Sequence, residues 1–398
     1  MFSREIIEKT VCSVCSSSRI EEVINLPAFP LTGIFVEEDM TNEVPKGYDQ
    51  ELVVCADCGH VQLRWVLPPS EVYNINYTHR SSASHLAPMA SSFLVRYIDS
   101  LVQDRTFECI LEIGCNDLFL LNKMSPRSRQ LVGIDPIWKD RASGVDPKVK
   151  VIGDFVEEVD LESQIGTKPD LIISTHNLEH INKPVEQLHR LMDAATEDAL
   201  FVIEVPDIDL MIDNLRFDQV FHYHIHYFGL AVLLKLIKRI GGEYVGHTFN
   251  FRNWGGSLII AFRKSRDKSV ASTPVPRVIS KELIAERHRI FRQRMDGFMR
   301  LVEGLQCDIW GYGAGQMVPA VAYNLRSDLS FLKGIFDDDP ARNGLTYPHL
   351  PVRIFRPNES LDLKDAVVVI TALDGVRAII SRLHRFNPRF ILVPNDVF

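Results

Sequence analysis

Two Cys-x-x-Cys pairs, Cys12/Cys15 and Cys55/Cys58, are the residues whose type and spacing point most directly to chemistry. A thiolate pair two residues apart can span two corners of a tetrahedral zinc site, and a second pair completes it. Four thiolates leave no coordination position open, so the expected role is structural rather than catalytic. Thirty-nine residues separate Cys15 from Cys55, longer than a compact ribbon. His60 is a competing ligand, although the second pair is complete without it. The alternative is four free thiols in loops.

A second set of groups lies at the ends of apolar runs. Glu112-Ile113-Gly114-Cys115-Asn116-Asp117 reads as a strand entering a tight turn, where open α/β sheets hold a small-molecule cofactor. Gly114 lets the backbone approach the ligand, while Leu118 stands where a glycine is common, so the helix packing there should differ. Val132-Gly133-Ile134-Asp135 follows at about 20 residues, a spacing that suits a carboxylate gripping ribose hydroxyls. Asp154-Phe155 ends a third strand, as an acid and an aromatic that can flank adenine. Thr175-His176-Asn177-Leu178-Glu179-His180 ends a fourth and faces the cleft. The expected cofactor residues are therefore Glu112, Gly114, Asn116, Asp135, Asp154, Phe155, His176 and Asn177. They suit S-adenosylmethionine, whose sulfonium is already a good leaving group. The protein must then bind the donor, aim the methyl and activate the acceptor. A dehydrogenase would use a similar sheet, but the first unit lacks Gly-x-Gly-x-x-Gly.

Third, Phe217–Phe228 contains His222, His224 and His226 at alternate positions. In an extended segment alternate rings share one side. Histidine is the natural general base near neutral pH. A second metal site is disfavoured, because no carboxylate or cysteine lies at a convincing offset. Ordinary polar loop contacts are the plainer reading.

The elements that must position these groups alternate. Strands are expected at Cys109–Ile113, Leu131–Ile134, Val149–Ile152, Leu171–Ser174, Leu200–Glu204, Tyr244–Phe251 and Ser257–Phe262. Helices are expected near Ser84–Val102, Val185–Ala195 and Leu230–Ile240. This predicts an α/β fold with a mostly parallel, doubly wound sheet. The last two strands, separated by Arg252–Gly256, predict the closing antiparallel hairpin of the class I methyltransferase variant. Three domains are expected: a zinc-binding domain at 1–75, a donor domain at 76–265 and a Rossmann-like domain at 280–398, the last two joined through the polar stretch Lys264–Lys281. The C-terminal unit carries Gly311-x-Gly313-x-Gly315 after a strand and Asp337 further on, good geometry for a phosphate at a helix start. Gln316 stands where a dinucleotide fingerprint wants its last glycine.

Bulk properties set limits. At 398 residues, 46% hydrophobic and 24% charged, the chain reads as a multi-domain globular protein. Its net charge of −8 argues against a partner that is a nucleic-acid polymer or an acidic membrane. No apolar run approaches the ~20 residues that span a bilayer. The start of the chain lacks the apolar stretch of an export signal, so a cytoplasmic location is expected and the paired cysteines read as metal ligands rather than disulfides. Cys109, Cys115 and Cys307 lie in or beside apolar runs and are expected in the core.

The combination of motifs resembles a known family: nucleotide-sugar C-methyltransferases with an N-terminal zinc-binding domain, a central donor domain and a C-terminal α/β domain. The resemblance spans nearly the whole chain. It rests on the two cysteine pairs, Leu26-Pro27 with Pro30-Leu31, Gly59-His60-Val61-Gln62, Glu112–Asp117, His180, the Phe217–Phe228 block and Gly255-Gly256-Ser257-Leu258. It implies that a base removes a proton beside the ketone of a nucleotide-linked keto-deoxy sugar. The resulting enolate carbon then takes the methyl group. The family's Tyr-His-Glu-His reads Phe221-His222-Tyr223-His224 here, so the matching base is His224, with His222 its nearest rival. His180, His222 or Tyr223 would polarise the keto oxygen, and Tyr77, in a Tyr- and Ser-rich stretch, would touch the donor. Trp254 replaces a histidine common before Gly-Gly-Ser. The C-terminal domain would hold the nucleotide end of the sugar. A monomer or small homo-oligomer is expected. Two alternatives stay open: O- or N-methylation of another small acceptor, and a zinc-stabilised binding protein without catalysis.

Overall fold

In the computed structural model, residues 5–68, 87–139, 146–251, 255–264 and 276–395 are described. Tyr77 and Trp254 lie outside them. The strands are β1 (Ile20–Phe29), β2 (Tyr48–Cys55), β3 (Val61–Leu63), β4 (Phe107–Ile113), β5 (Ser128–Ile134), β6 (Val149–Ile152), β7 (Leu171–Thr175) and β8 (Leu200–Pro206). They continue with β9 (His226–Tyr227), β10 (Gly242–Asn250), β11 (Ser257–Lys264), β12 (Ile309–Tyr312), β13 (Ile335–Phe336), β14 (Ile354–Phe355), β15 (Val367–Ile370) and β16 (Phe390–Leu392).

Seven strands form the central sheet in the order β10-β11-β8-β7-β4-β5-β6. Strands β4 to β8 pair in parallel and β11 alone runs against its two neighbours. This is the class I methyltransferase sheet with its closing hairpin. Alternation within each strand feeds two cores. Leu111, Ile113, Val132, Ile172 and Phe201 pack on one face with helices α4 (Pro184–Ala194) and α6 (Leu230–Arg239). Ile110, Leu131, Leu171, Ile173 and Val202 pack on the other with α1 (Ala87–Val102) and α2 (Phe119–Met124). The two short helices α3 (Leu161–Ile165) and α5 (Ile208–Asp213) complete the connections.

The front sheet, β9-β3-β2-β1, is built from two distant parts of the chain. Its edge strand β9 comes from the histidine block and pairs His226 with Gln62 and Tyr227 with Val61. The front module does not depend on zinc alone for cohesion. Leu52, Val54 and Leu63 share one apolar cluster with Phe217, Phe221, helix α7 (Lys281–Glu303) and the C-terminal sheet. The cysteines Cys12, Cys55 and Cys58 share another with Leu233 and Leu236 of α6. Lys235 of α6 donates to the Cys58 carbonyl at 2.9 Å, and Arg239 donates to the Val14 carbonyl.

The C-terminal sheet is parallel, in the order β14-β13-β12-β15-β16, with helices α8 (Val318–Leu325) and α9 (Val376–Leu383). Its glycine turn is filled by protein. Gly313 is left-handed (φ +94°), and a Cβ there would sit 2.6 Å from that of Ala372. Asp337 accepts the Ala314 amide at 2.6 Å, and the Gln316 carbonyl accepts the Gly33 amide at 3.0 Å. The motif therefore serves packing between β12 and β15 and docking of the front module.

Candidate active site

Thiol positions define the metal site first. Cys12 Sγ lies 3.6 Å from Cys58 Sγ, Cys15 Sγ lies 3.5 Å from Cys55 Sγ, and all four fall within 4.8 Å of one another. A tetrahedron with zinc–sulfur bonds of about 2.3 Å has edges of about 3.8 Å, so the four sulfurs fit one zinc ion. His60 is not among them. Its Nε2 is 3.1 Å from Nδ1 of His226, well inside the seam between front module and sheet.

The parallel strand ends bring the expected donor residues to one edge. Gly114 is left-handed (φ +72°), and a Cβ there would sit 2.9 Å from the Asn177 side-chain nitrogen. The bare backbone thus allows the ends of β4 and β7 to meet. Glu112 is 3% exposed, and its Oε2 has no hydrogen-bond partner among the described residues; nor has Asn177 Oδ1. Burial, with Asp135 nearby, raises the Glu112 carboxyl well above its usual range. Asp135 accepts the amides of Asn116 at 2.8 Å and Ile137 at 3.0 Å, fixing the first two turns against each other. Asp154 is exposed at the end of β6, next to the half-buried Phe155. Leu118 adopts the left-handed backbone that glycine would take (φ +66°) while its side chain stays 5% exposed in the α1–α2 core, so the turn keeps its shape at a cost in strain. The orphaned Glu112 and Asn177 oxygens and the open backbone at Gly114 fit a polar, cationic donor end.

Beyond β7 the chain turns at His176, itself left-handed (φ +48°), and delivers His176, Glu179 and His180 to one place, where His224 of the histidine block joins them. Glu179, 1% exposed, has Oε1 at 3.6 Å from His176 Nδ1, 3.9 Å from His224 Nε2 and 4.0 Å from His180 Nε2. On its other side His176 Nε2 is 3.7 Å from Glu204 Oε1, and Glu204 accepts a hydrogen bond from Ser257. His180 Nδ1 donates to the Tyr223 carbonyl at 2.7 Å, which turns its Nε2 to the cluster. Its ring meets His224 edge-on at 4.9 Å, and Phe221 covers His224 at 4.2 Å. Burial opposes charge on His176, but Glu179 and Glu204 hold it protonated, up to about 10. Burial likewise opposes charge on Glu179, yet the surrounding histidines hold it ionised, down to about 2. Burial, then the neighbouring His180, push His224 down to about 3, so its imidazole is neutral at neutral pH.

The three alternate histidines do not share a side. The His224 amide bonds back to the Phe221 carbonyl at 3.1 Å, so the segment is a turn before it becomes β9. His222 points into the front module, where its Nε2 donates to the Phe29 carbonyl at 3.0 Å and Gln50 donates to its Nδ1 at 3.3 Å. His226 donates to the Ile181 carbonyl at 3.0 Å. Tyr223 turns its hydroxyl to the Thr32 carbonyl at 3.3 Å. Of the four expected acceptor-side residues, the structure brings together His224 and His180 and sets the His222 and Tyr223 side chains elsewhere. Glu179 and Glu204 were not among the expected site residues. The direct sequence Leu178-Glu179-His180 at a strand end was the one available signal for Glu179.

Comparison with known families agrees with this division. Residues 12–73 match a family described as a zinc binding domain, and residues 85–246 match a methyltransferase domain. The chain carries a zinc-binding domain ahead of a methyltransferase domain. Zinc and S-adenosylmethionine are the groups these domains take. One curated relative is the C-methyltransferase NovU of Streptomyces niveus, 28% identical over 260 residues. That match covers 63% of this chain and 59% of the relative's length. Solved structures similar to the methyltransferase domain include N-methyltransferase NodS of Bradyrhizobium japonicum, 14% identical, covering 46% of this chain and 98% of that one at a TM-score of 0.34. Another is 1,6-didemethyltoxoflavin-N1-methyltransferase of Burkholderia thailandensis, 17% identical, covering 46% and 80% at 0.36. These two are too distant to bear on chemistry.

Proposed function

We propose that the protein is an S-adenosylmethionine-dependent C-methyltransferase acting on a nucleotide-linked keto-deoxy sugar through an enolate. The observation that carries the reading is the position of His224 and His180 around Glu179. Asn177, whose side chain abuts Gly114, stands two residues before Glu179 and three before His180. A base and a carbonyl partner therefore stand one short loop from the donor turn.

Methylation at carbon needs what methylation at nitrogen does not: a C–H proton must leave. A ketone acidifies the adjacent C–H, and a positioned base contributes roughly 10²–10⁴-fold. His224 is neutral and takes that proton. His180, anchored through Nδ1, presents Nε2 to the keto oxygen, where charge develops. Glu112, Gly114, Asn116, Asp135, Asp154, Phe155 and Asn177 would hold the donor, whose sulfonium supplies the leaving group. The kinship with a protein named a C-methyltransferase supports transfer to carbon. The sugar nucleotide rests on the family resemblance, with the C-terminal unit at its nucleotide end. The domain limits are those read from the sequence, and zinc is structural.

The test is mass spectrometry of reactions with S-adenosylmethionine and a panel of keto nucleotide sugars. A gain of one methyl group on carbon is expected. Transfer to oxygen or nitrogen would replace the carbanion reading. Calorimetry showing no donor binding at high micromolar concentration would favour a non-catalytic binding protein.

A further inference from the structure

We propose that Glu179 is the positioning residue of the acceptor site: its carboxylate orients His224 and stabilises the imidazolium formed when His224 takes the proton. The inference rests on the reading of His224 as the base. Tyr223, next to His224, turns its hydroxyl to the Thr32 carbonyl, and Asp218 of the same block is paired with Arg216. The carboxylate that faces His224 comes from another element, the turn after β7.

Three observations support the assignment. Glu179 is 1% exposed, and neither carboxylate oxygen has a hydrogen-bond partner among the described residues. A buried ion without such a bond is costly unless its surroundings are arranged for it. Its neighbours are three imidazoles from two segments, at 3.6 to 4.0 Å. Finally, among the described residues no other anion is so placed against His224: the groups facing it are His176, His180, Glu179, Phe221 and Tyr227.

The proton balance follows. Protonated His176 lies between Glu179 and Glu204, so the resting cluster of those three groups carries one net negative charge. The substrate C–H bond breaks, its electron pair passes to the enolate, and the proton goes to Nδ1 of His224. The Nε2–H of that ring faces Glu179, and the new positive charge is met by the cluster's residual negative charge. Without Glu179 the new imidazolium would stand in an apolar pocket beside cationic His176. The 3.9 Å separation tightens when the charge forms, as catalytic hydrogen bonds commonly do. A divalent cation on Glu179, His180 and His224 is the competing use of the same atoms. With metal bonds of about 2.0–2.2 Å, tetrahedral ligands sit about 3.4 Å apart. The donors are wider than that, and His176 already stands 3.6 Å from the same carboxylate oxygen.

The test compares Glu179→Gln, Glu179→Asp and His224→Ala, using S-adenosylmethionine and whichever keto nucleotide sugar gains a methyl group in the panel. Glu179→Gln should lower kcat by about 100-fold, with the KM for sugar and the donor dissociation constant changed by less than about threefold. Glu179→Asp should recover about tenfold of that loss and remain about tenfold below wild type, because the shortened carboxylate stands farther from His224. Should Glu179→Gln misfold by circular dichroism, the kcat and KM of Glu179→Asp decide: wild-type values overturn the proposal, and reduced kcat at constant KM supports it. If Glu179→Gln turns over normally while His224→Ala is inactive, Glu179 has no part in the reaction. If His224→Ala itself is active, it is the base assignment that fails. Turnover lost on dialysis against a chelator while zinc stays bound, and restored by manganese alone, would overturn the proposal in favour of a metal site.

Discussion

Two sets of histidines, partly from one short block, have opposite fates in this molecule. On the front-module side His60, His222 and His226 are buried among carbonyls, an amide and each other, with no carboxylate against them among the described residues. Burial pushes His60 down to about 3 and His222 to about 4, and His226 well below its usual range. On the donor side His176, His180 and His224 surround Glu179. The first set is a neutral strut. The second holds a fixed cation, a fixed anion and an uncharged base within one cluster. Residue type and even register do not decide a histidine's chemistry; the nearest carboxylate does.

The largest effect expected on the strut comes from zinc. β3 follows the Cys55/Cys58 knuckle and pairs with β9, two residues beyond His224. Losing the metal therefore loosens the base as well as the front module. Zinc contributes about 10 kcal/mol or more to small structural sites. Cys55→Ser should lose zinc and nearly all turnover, with a marked fall in melting temperature. Metal analysis finding no zinc in reduced wild-type protein would break this side of the comparison.

Next in size is the donor edge. Asp135→Ala should weaken S-adenosylmethionine binding at least tenfold, since hydrogen bonds to a charged acceptor contribute about 1.5–3 kcal/mol each. Because Asp135 also fixes two turns, Asp135→Asn serves as the control for folding. An unchanged dissociation constant by calorimetry would move the donor elsewhere.

The pH profile separates the two sets by sign. For His60, His222 and His226 the folded pKa lies below the unfolded value of about 6.5. Their contribution is full above about pH 6.5 and is lost as pH falls toward 4 to 3. For His176, raised to about 10, the contribution is full below about pH 6.5 and fades as pH rises toward 10. Thermal melts should therefore decline on both sides, His222→Gln flattening the acid limb and His176→Asn the alkaline one. Equal slopes in wild type and both variants would erase the distinction.

Much of this architecture was legible in the sequence. Runs such as Leu171–Ser174 and Leu200–Glu204 are too apolar and short for anything but buried strands, and each ends in a polar residue at the cofactor edge. The cysteine spacing is likewise a local signal. What was not legible is assembled from separated segments. The alternation of His222, His224 and His226 predicts one shared side only if the backbone is extended, and the turn at Phe221–His224 breaks that condition. The glycines at 311–315 carry a local phosphate-loop pattern, but their packing against Ala372, far along the chain, is visible only in the fold. Glu179 lies in the motif at the end of β7, but its place beside His224 appears only once the second histidine segment folds over it.

The comparison is tested most directly by solvent deuterium exchange at the acidic carbon of the accepted keto sugar, measured in His224→Ala and His222→Ala. His224→Ala should keep donor binding and lose exchange and methyl transfer by about 10²–10⁴-fold. His222→Ala should melt earlier, since it leaves the Phe29 carbonyl without its donor and removes one of the Gln50 hydrogen bonds, yet exchange at close to the wild-type rate per folded molecule. Normal exchange in His224→Ala with none in His222→Ala would contradict the account, placing the chemistry on the set of histidines described here as a strut.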